Sequence, residues 1–279
     1  GNLPSAYVTT DQIVVNSGTS NYLDLVAKGG DAGLGGYRTD ATGQIIGLQQ
    51  EFSPFRREDL NTASNADNGR TESGLLRWTR WSGGTITPSY QASVPALSAN
   101  QGYHIIVGAP LTNMPTSGTV NYTLAGGTSP TSVSGTGAPG TLTSGSAAIA
   151  FGSNPRIGFD LAFSQNGSTY ALFTNGGAAN AANSELALNS DGGFRQLGTY
   201  GQGVTVNGAA CATCRPIWEG FLAGNGGTEL ALNYEMQRQN GDRIIGAAGF
   251  VQGTGGGGNG GGGTGSGFTG TRTGQVFYT

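Results

Sequence analysis

The chain has 279 residues, of which 53 are glycine and only 10% are charged, with 13 basic against 16 acidic side chains. So low a charge speaks against nucleic acid, which needs a basic footprint to displace counterions. One histidine (His104), one lysine (Lys28) and two cysteines leave little from which to assemble a base, a nucleophile and an orienting group, or a metal centre.

Short apolar runs separated by Gly, Asn, Ser and Pro clusters run through the chain, the punctuation of an all-β protein. In residues 1–74 the pattern predicts strands at 11–15 and 22–26. A short helix is expected within 54–62, with Pro54 in its first turn, and the polar stretch 61–74 reads as a long loop. Next come Arg77, Trp78, Arg80 and Trp81, a candidate aromatic surface patch that would stack on a sugar or another ligand. The alternative is a pair of core-edge aromatics beneath arginine stems.

Further strands are expected at 103–108, where His104 reads as a structural residue, at Val120–Leu124 and at 147–151. The clearest is 157–163, whose large side chains Ile157, Phe159, Leu161 and Phe163 share one face at period two. Asn166-Gly167 is a strong hairpin signal and leads into 169–174. Strands at 185–189, 203–207, 216–222 and 228–237 follow, and Asn240-Gly241 turns the last of these into 243–251. Phe159, Leu161, Phe163, Leu230, Leu232 and Tyr234 are the expected core. No apolar run reaches the roughly 18 residues of a transmembrane helix, so no membrane span is expected.

Cys211-Ala-Thr-Cys214 has the CxxC spacing. A redox pair would open a helix, but Arg215-Pro216-Ile217 leads into a strand pattern, and a zinc site would need two further ligands where only His104 is on offer. A disulfide between Cys211 and Cys214 is the expectation. The carboxylates Asp160, Glu185, Asp191, Glu219, Glu229 and Glu235 are scattered over different strands, which disfavours a glycosidase pair. Neither an enzyme nor a cofactor is expected.

The organisation expected is therefore all-β, an antiparallel meander closing into a roughly eight-stranded barrel with extra N- and C-terminal strand segments. Its parts are a strand-and-loop region at 1–74, the barrel at 75–252, a Gly-rich tract at 253–267 and a terminal strand segment at 268–279. From Trp218-Glu219-Gly220-Phe221-Leu222-Ala223-Gly224, through Gly226-Gly227-Thr228-Glu229-Leu230-Ala231-Leu232, to Ile244-Ile245-Gly246-Ala247-Ala248-Gly249-Phe250, the sequence resembles the closing strands of the transferrin-binding-protein-B-like barrels of Gram-negative surface lipoproteins. The wider stretch 75–252 is similar to the barrel that follows FecR-type domains in proteobacterial envelope proteins. The resemblance implies a non-catalytic antiparallel barrel at the cell surface.

A chain beginning at Gly1 with no signal-like segment fits a processed, secreted protein, and the resemblance implies a place at the extracellular surface of a Gram-negative bacterium. Low charge weakens repulsion between copies, and edge strands with few lysines invite strand addition. The primary expectation is a structural or adhesive surface protein that self-associates into a homo-oligomer or filament. Its candidate exchanged strands carry Tyr7, Val8, Ile13, Val14 and Val15, or Val276, Phe277 and Tyr278. The alternative is a surface capture module that grips a host protein or haem through loops such as 128–143 and 175–184.

Overall fold

The computed structural model describes residues 8–16, 25–27, 35–50, 56–88 and 96–253. Two sheets divide these residues, and they follow one another along the chain. The first contains β1 (Val8–Asn16), β2 (Leu25–Ala27), β3 (Gly35–Thr39), β4 (Ile45–Gln50), β5 (Arg56–Leu60), β6 (Ser64–Arg70), β7 (Leu76–Ser82), β8 (Ile86–Pro88) and β9 (Tyr103–Gly108). Its order is β6-β7-β9-β1-β3-β4-β5-β8, with β2 also on β1. Strands β7 and β9, counted with the barrel in the sequence, thus hydrogen-bond in this first sheet.

Two local expectations are overturned here. Residues 56–60 form a strand instead of a helix: Arg-Arg-Glu-Asp-Leu has no apolar stripe at the helical period, and β4 and β8 take up its two edges. Residues 64–70 form β6 instead of a loop, although the run Ser-Asn-Ala-Asp-Asn-Gly-Arg has no large apolar side chain. Its ladder with β7 is reinforced by the Thr79 hydroxyl, which lies 2.7 Å from Asn65 Oδ1 and 2.9 Å from Asn68 Oδ1.

The second sheet contains β10 (Leu111–Thr112), β11 (Gly118–Gly127), β12 (Thr131–Ser132), β13 (Thr141–Phe151), β14 (Arg156–Gln165), β15 (Ser168–Phe173), β16 (Gly193–Leu197), β17 (Val204–Val206), β18 (Ala209–Ala210), β19 (Cys214–Asn225), β20 (Glu229–Arg238) and β21 (Arg243–Gln252). The path β19-β20-β21-β11-β13-β14-β15 is antiparallel throughout. Its two ends are joined by the stretch 186–206. Leu186 and Pro155 tie that stretch to the start of β14, β16 pairs β19, and β17 pairs β15. A shared β16–β17 stave therefore completes the ring as a barrel. The expected 185–189 strand makes only a single bridge, Arg156 to Ala187.

Turn chemistry sets the meander. Asn166 and Gly167 both take positive φ (51° and 75°), the left-handed pair that matches strand twist in a two-residue hairpin. The resulting alternation sends Ile157, Phe159, Leu161 and Phe163 inward with Leu230, Leu232 and Tyr234, and all are buried. Phe159 lies 5.3 Å from Trp218, 5.7 Å from Phe194 and 5.8 Å from Phe250, centroid to centroid. Phe163 sits between Tyr170 and Tyr234 at 5.1 and 5.5 Å. The lumen is filled by side chains, as in other small barrels.

A separate core holds the first sheet's far face, where Trp81 stacks on Tyr103 at 5.8 Å and its indole N–H donates to the Ile45 carbonyl at 2.8 Å. The near face packs on the barrel: Leu76, Trp78 and Ile106 meet Phe221, Ala223, Ala231 and Ala247. Small residues on the outside of β19–β21 let the two sheets approach closely. Among the described residues no helix is long and apolar enough to cross a membrane.

Candidate functional site

Two regions concentrate polar side chains: the joint between the sheets and one rim of the barrel. At the joint, β9 and β7 place His104 and Arg80 directly opposite each other. His104 is wholly buried. Its Nδ1 lies 2.7 Å from the Thr128 hydroxyl and its Nε2 2.8 Å from that of Thr131, both on the barrel. Arg80 Nε donates to Asp67 at 2.6 Å, and Asp67 also accepts the Ser129 N–H at 3.0 Å. Gln101 reaches the Val133 carbonyl at 2.7 Å. On the other side of the joint, buried Glu229 accepts the Thr71 hydroxyl at 2.7 Å and the Ser73 hydroxyl.

Burial, reinforced by the Arg80 charge, holds the His104 ring well below the ordinary histidine range. Burial likewise raises the phenols of Tyr234 and Tyr122 above theirs, and Tyr122 donates to the Gly227 carbonyl at 2.7 Å. All three groups keep their neutral forms. The His104 ring and the Tyr122 hydroxyl work as structural hydrogen-bonding parts, while the buried Tyr234 hydroxyl has no hydrogen-bond partner among the described residues and its ring packs on Phe163. The scattered carboxylates have comparable duties. Asp160 accepts from Ala178 N, Glu185 from Asn175 N and Asp191 from Gly193 N, each at 2.8 Å. Glu219 faces Arg195 at 3.8 Å, while Glu235 takes Arg243 Nε at 2.6 Å.

The rim is built by the connections at the end where β14 reaches Gln165. The Gln165 amide donates to the Thr136 and Ala138 carbonyls at 3.3 and 3.4 Å. Asn207 accepts Thr169 N, Gln239 N donates to the Thr213 carbonyl, and Val133 N to that of Arg243. The tips 134–138, 166–167, 207–213 and 239–242 are thereby fastened to their neighbours around the whole mouth. They carry a single charge, Asp242, among Ser, Thr, Asn, Gln, Gly, Ala and the one cysteine Cys211.

Several residues singled out in the sequence stand elsewhere than expected. Trp78 and Trp81 are not a surface patch. Three positions apart on a strand they face opposite ways, Trp78 into the joint and Trp81 into the far core, and both are buried. Arg80 is buried at the joint, and Arg77 is half-buried. Val8 and Ile13–Val15 lie in β1, whose edges are taken by β9 on one side and by β3 and β2 on the other. The backbone of Ile13–Val15, paired on both edges, is therefore not offered to a second copy, and Val8 pairs with Tyr37 of β3. Tyr7, Val276, Phe277 and Tyr278 lie outside the described residues, as does the Gly-rich tract after Gly253. Loops 128–143 and 175–184 leave opposite ends of the barrel strands and do not converge. Asp67, Thr128 and Thr131 were not singled out in the sequence, because nothing in their neighbourhood marks them until two sheets meet.

Cys211 and Cys214 sit on the rim with their sulfurs at bonding distance and their Cα atoms 5.3 Å apart. Closing so short a loop removes little chain entropy, so reduction is expected to lower stability by about 2 kcal/mol at most. Thiol titration of unfolded protein prepared without reductant checks the bond: no free thiol is expected, and two would refute it.

Fold and site together define the class: an all-β chain with a side-chain-filled barrel, a second sheet clamped to its wall and a tied, nearly uncharged rim. Comparison with known proteins finds no matching family model and no matching curated protein. Among solved structures, a mutant of transferrin-binding protein B from Haemophilus parasuis is 11% identical with a TM-score of 0.41, over 90% of this chain and 46% of that one. A mutant from Actinobacillus pleuropneumoniae is 12% identical with a TM-score of 0.36, over 87% and 99% respectively. The chain thus spans about half the length of the first of these, at 46%. Identities and TM-scores this low carry no functional inference. The likeness to barrels that follow FecR-type domains gains no support from these comparisons.

Proposed function

We propose that the chain is a non-enzymatic capture module, exported to the surface of a Gram-negative cell, that binds a protein partner on the barrel rim. The observation that carries this is the filled lumen. With Phe159, Phe194, Trp218 and Phe250 packed at its centre, the barrel is a rigid scaffold and its tied loops are the display surface. Rim composition favours a protein over the other partners considered. Ser, Gly and Asn supply hydrogen bonds that adapt to a protein surface, as in antibody loops. The tips 134–138, 166–167, 207–213 and 239–242 carry no aromatic ring on which a sugar would stack, and the ring of neighbouring Tyr200 is covered by the Arg215 guanidinium at 4.6 Å. Haem is disfavoured because His104 is buried with both ring nitrogens engaged. The Cys211–Cys214 bond agrees with an oxidising, extracellular setting.

Binding of the full chain to a panel of purified plasma proteins that includes transferrin tests the proposal. The expected outcome is saturable binding of one panel member, lost when the tips 134–138 and 207–210 are replaced by Gly-Ser segments of equal length. Absence of binding across the panel, or binding that survives both replacements, contradicts it.

A further inference from the structure

His104 is the only histidine of the chain, and it lies where the first sheet grips the barrel. A neutral ring with its proton on Nε2 completes every bond at this point. Thr128 Oγ1 accepts the Ala247 N–H at 2.9 Å and donates to Nδ1, while Nε2–H donates to Thr131. A protonated ring fits poorly. It would need both hydroxyls as acceptors and would bring a second cation beside Arg80, which stands opposite it across the β7–β9 ladder. Like charges in directly opposite positions destabilise a ladder.

No neighbouring group is free to compensate that charge. Asp67, from β6, is already held by Arg80 and Ser129. The barrel segment 127–133 carries no titratable side chain, Arg243 on β21 is bound to Glu235, and the residue opposite His104 on β1 is Asn16.

We infer that His104 is a proton-operated latch between the two sheets: neutral, it holds the segment Thr128–Val133 against β9, and protonated, it releases that segment. The closed joint excludes the proton and the open joint accepts it, so acid favours opening. Below the ordinary histidine range, the ratio of open to closed joints rises by up to about tenfold per pH unit. The same segment continues into the rim at 134–138, so the latch would also give the partner site an acid release. That last step rests on the proposed function; the latch does not.

Amide hydrogen exchange of the full chain, corrected for intrinsic rates, tests the latch at about pH 7.5 and about pH 5. The reporters are the N–H groups of Ser129 and Ala247, with the β14–β15 ladder as reference. Protection at the reporters is expected to fall at least about tenfold in acid while the ladder holds. His104→Gln, which keeps a donor and an acceptor but does not titrate, should lose this dependence. Unchanged protection in the wild type, or an equal fall in the variant, overturns the latch. Should the variant not fold, nitrogen NMR of the wild-type ring decides. Protonation in step with lost protection supports the latch, and loss of protection with the ring still neutral refutes it. Partner binding measured at both pH values is a separate readout, so a failed capture reading leaves the exchange result intact.

Discussion

Arg243→Met is expected to cost about 3–5 kcal/mol, because it leaves the Glu235 carboxylate buried without its partner. Both side chains are almost fully enclosed, at 5% and 2% exposure, and the guanidinium meets the carboxylate through two nitrogens. The pair sits on the outer face of β20 and β21 beside their hairpin. Replacing both residues, Glu235→Leu with Arg243→Met, removes the desolvation cost together with the attraction, and such exchanges are often neutral or stabilising. Chemical denaturation of the two variants checks this. The single variant should shift its midpoint strongly and the double variant should recover most of the loss. A single variant within about 1 kcal/mol of wild type would show that the carboxylate finds another partner or reaches water.

Trp78→Ala should have a comparable effect, about 3–5 kcal/mol, and should loosen the joint between the sheets. The indole rests on three glycines from three strands, Gly69 on β6, Gly126 on β11 and Gly249 on β21. A Cβ at these positions would stand 2.3, 2.6 and 2.8 Å from its ring atoms. Gly249→Val alone is expected to overpack this cradle by about 1–3 kcal/mol or more. In the Trp78→Ala background the same valine enters vacated space and should cost little, so the two effects should be strongly non-additive. Additive losses in thermal melts would show that the indole and Gly249 do not share one contact.

The barrel was legible where period-two alternation and a turn signal coincide. Ile157–Phe163 with Asn166-Gly167, and the 228–237 and 243–251 strands with Asn240-Gly241, stand as β14–β15 and β20–β21. The first sheet was less legible, because its strands take their stability from neighbours. Ser64–Arg70 carries no apolar signal, and Arg56–Leu60 is strongly charged, yet ladder partners make both into strands.

A clue to the joint was present. Tyr-His-Ile-Ile-Val-Gly at 103–108 and Ile-Ile-Gly-Ala-Ala-Gly-Phe at 244–250 alternate nothing, as strands covered on both faces do, and both are buried along that length. The tryptophan pair misled for a geometric reason. A spacing of three gathers side chains on a helix and separates them on a strand.

The central claim is that the barrel displays and does not enclose. Titration with haemin, followed at the Soret band and by thermal melting, tests it most directly. A filled lumen predicts no saturable Soret shift and no ligand-dependent rise in melting temperature. An equimolar Soret shift accompanied by a concentration-dependent rise would mean that the folded state holds the ligand, and would contradict the display account.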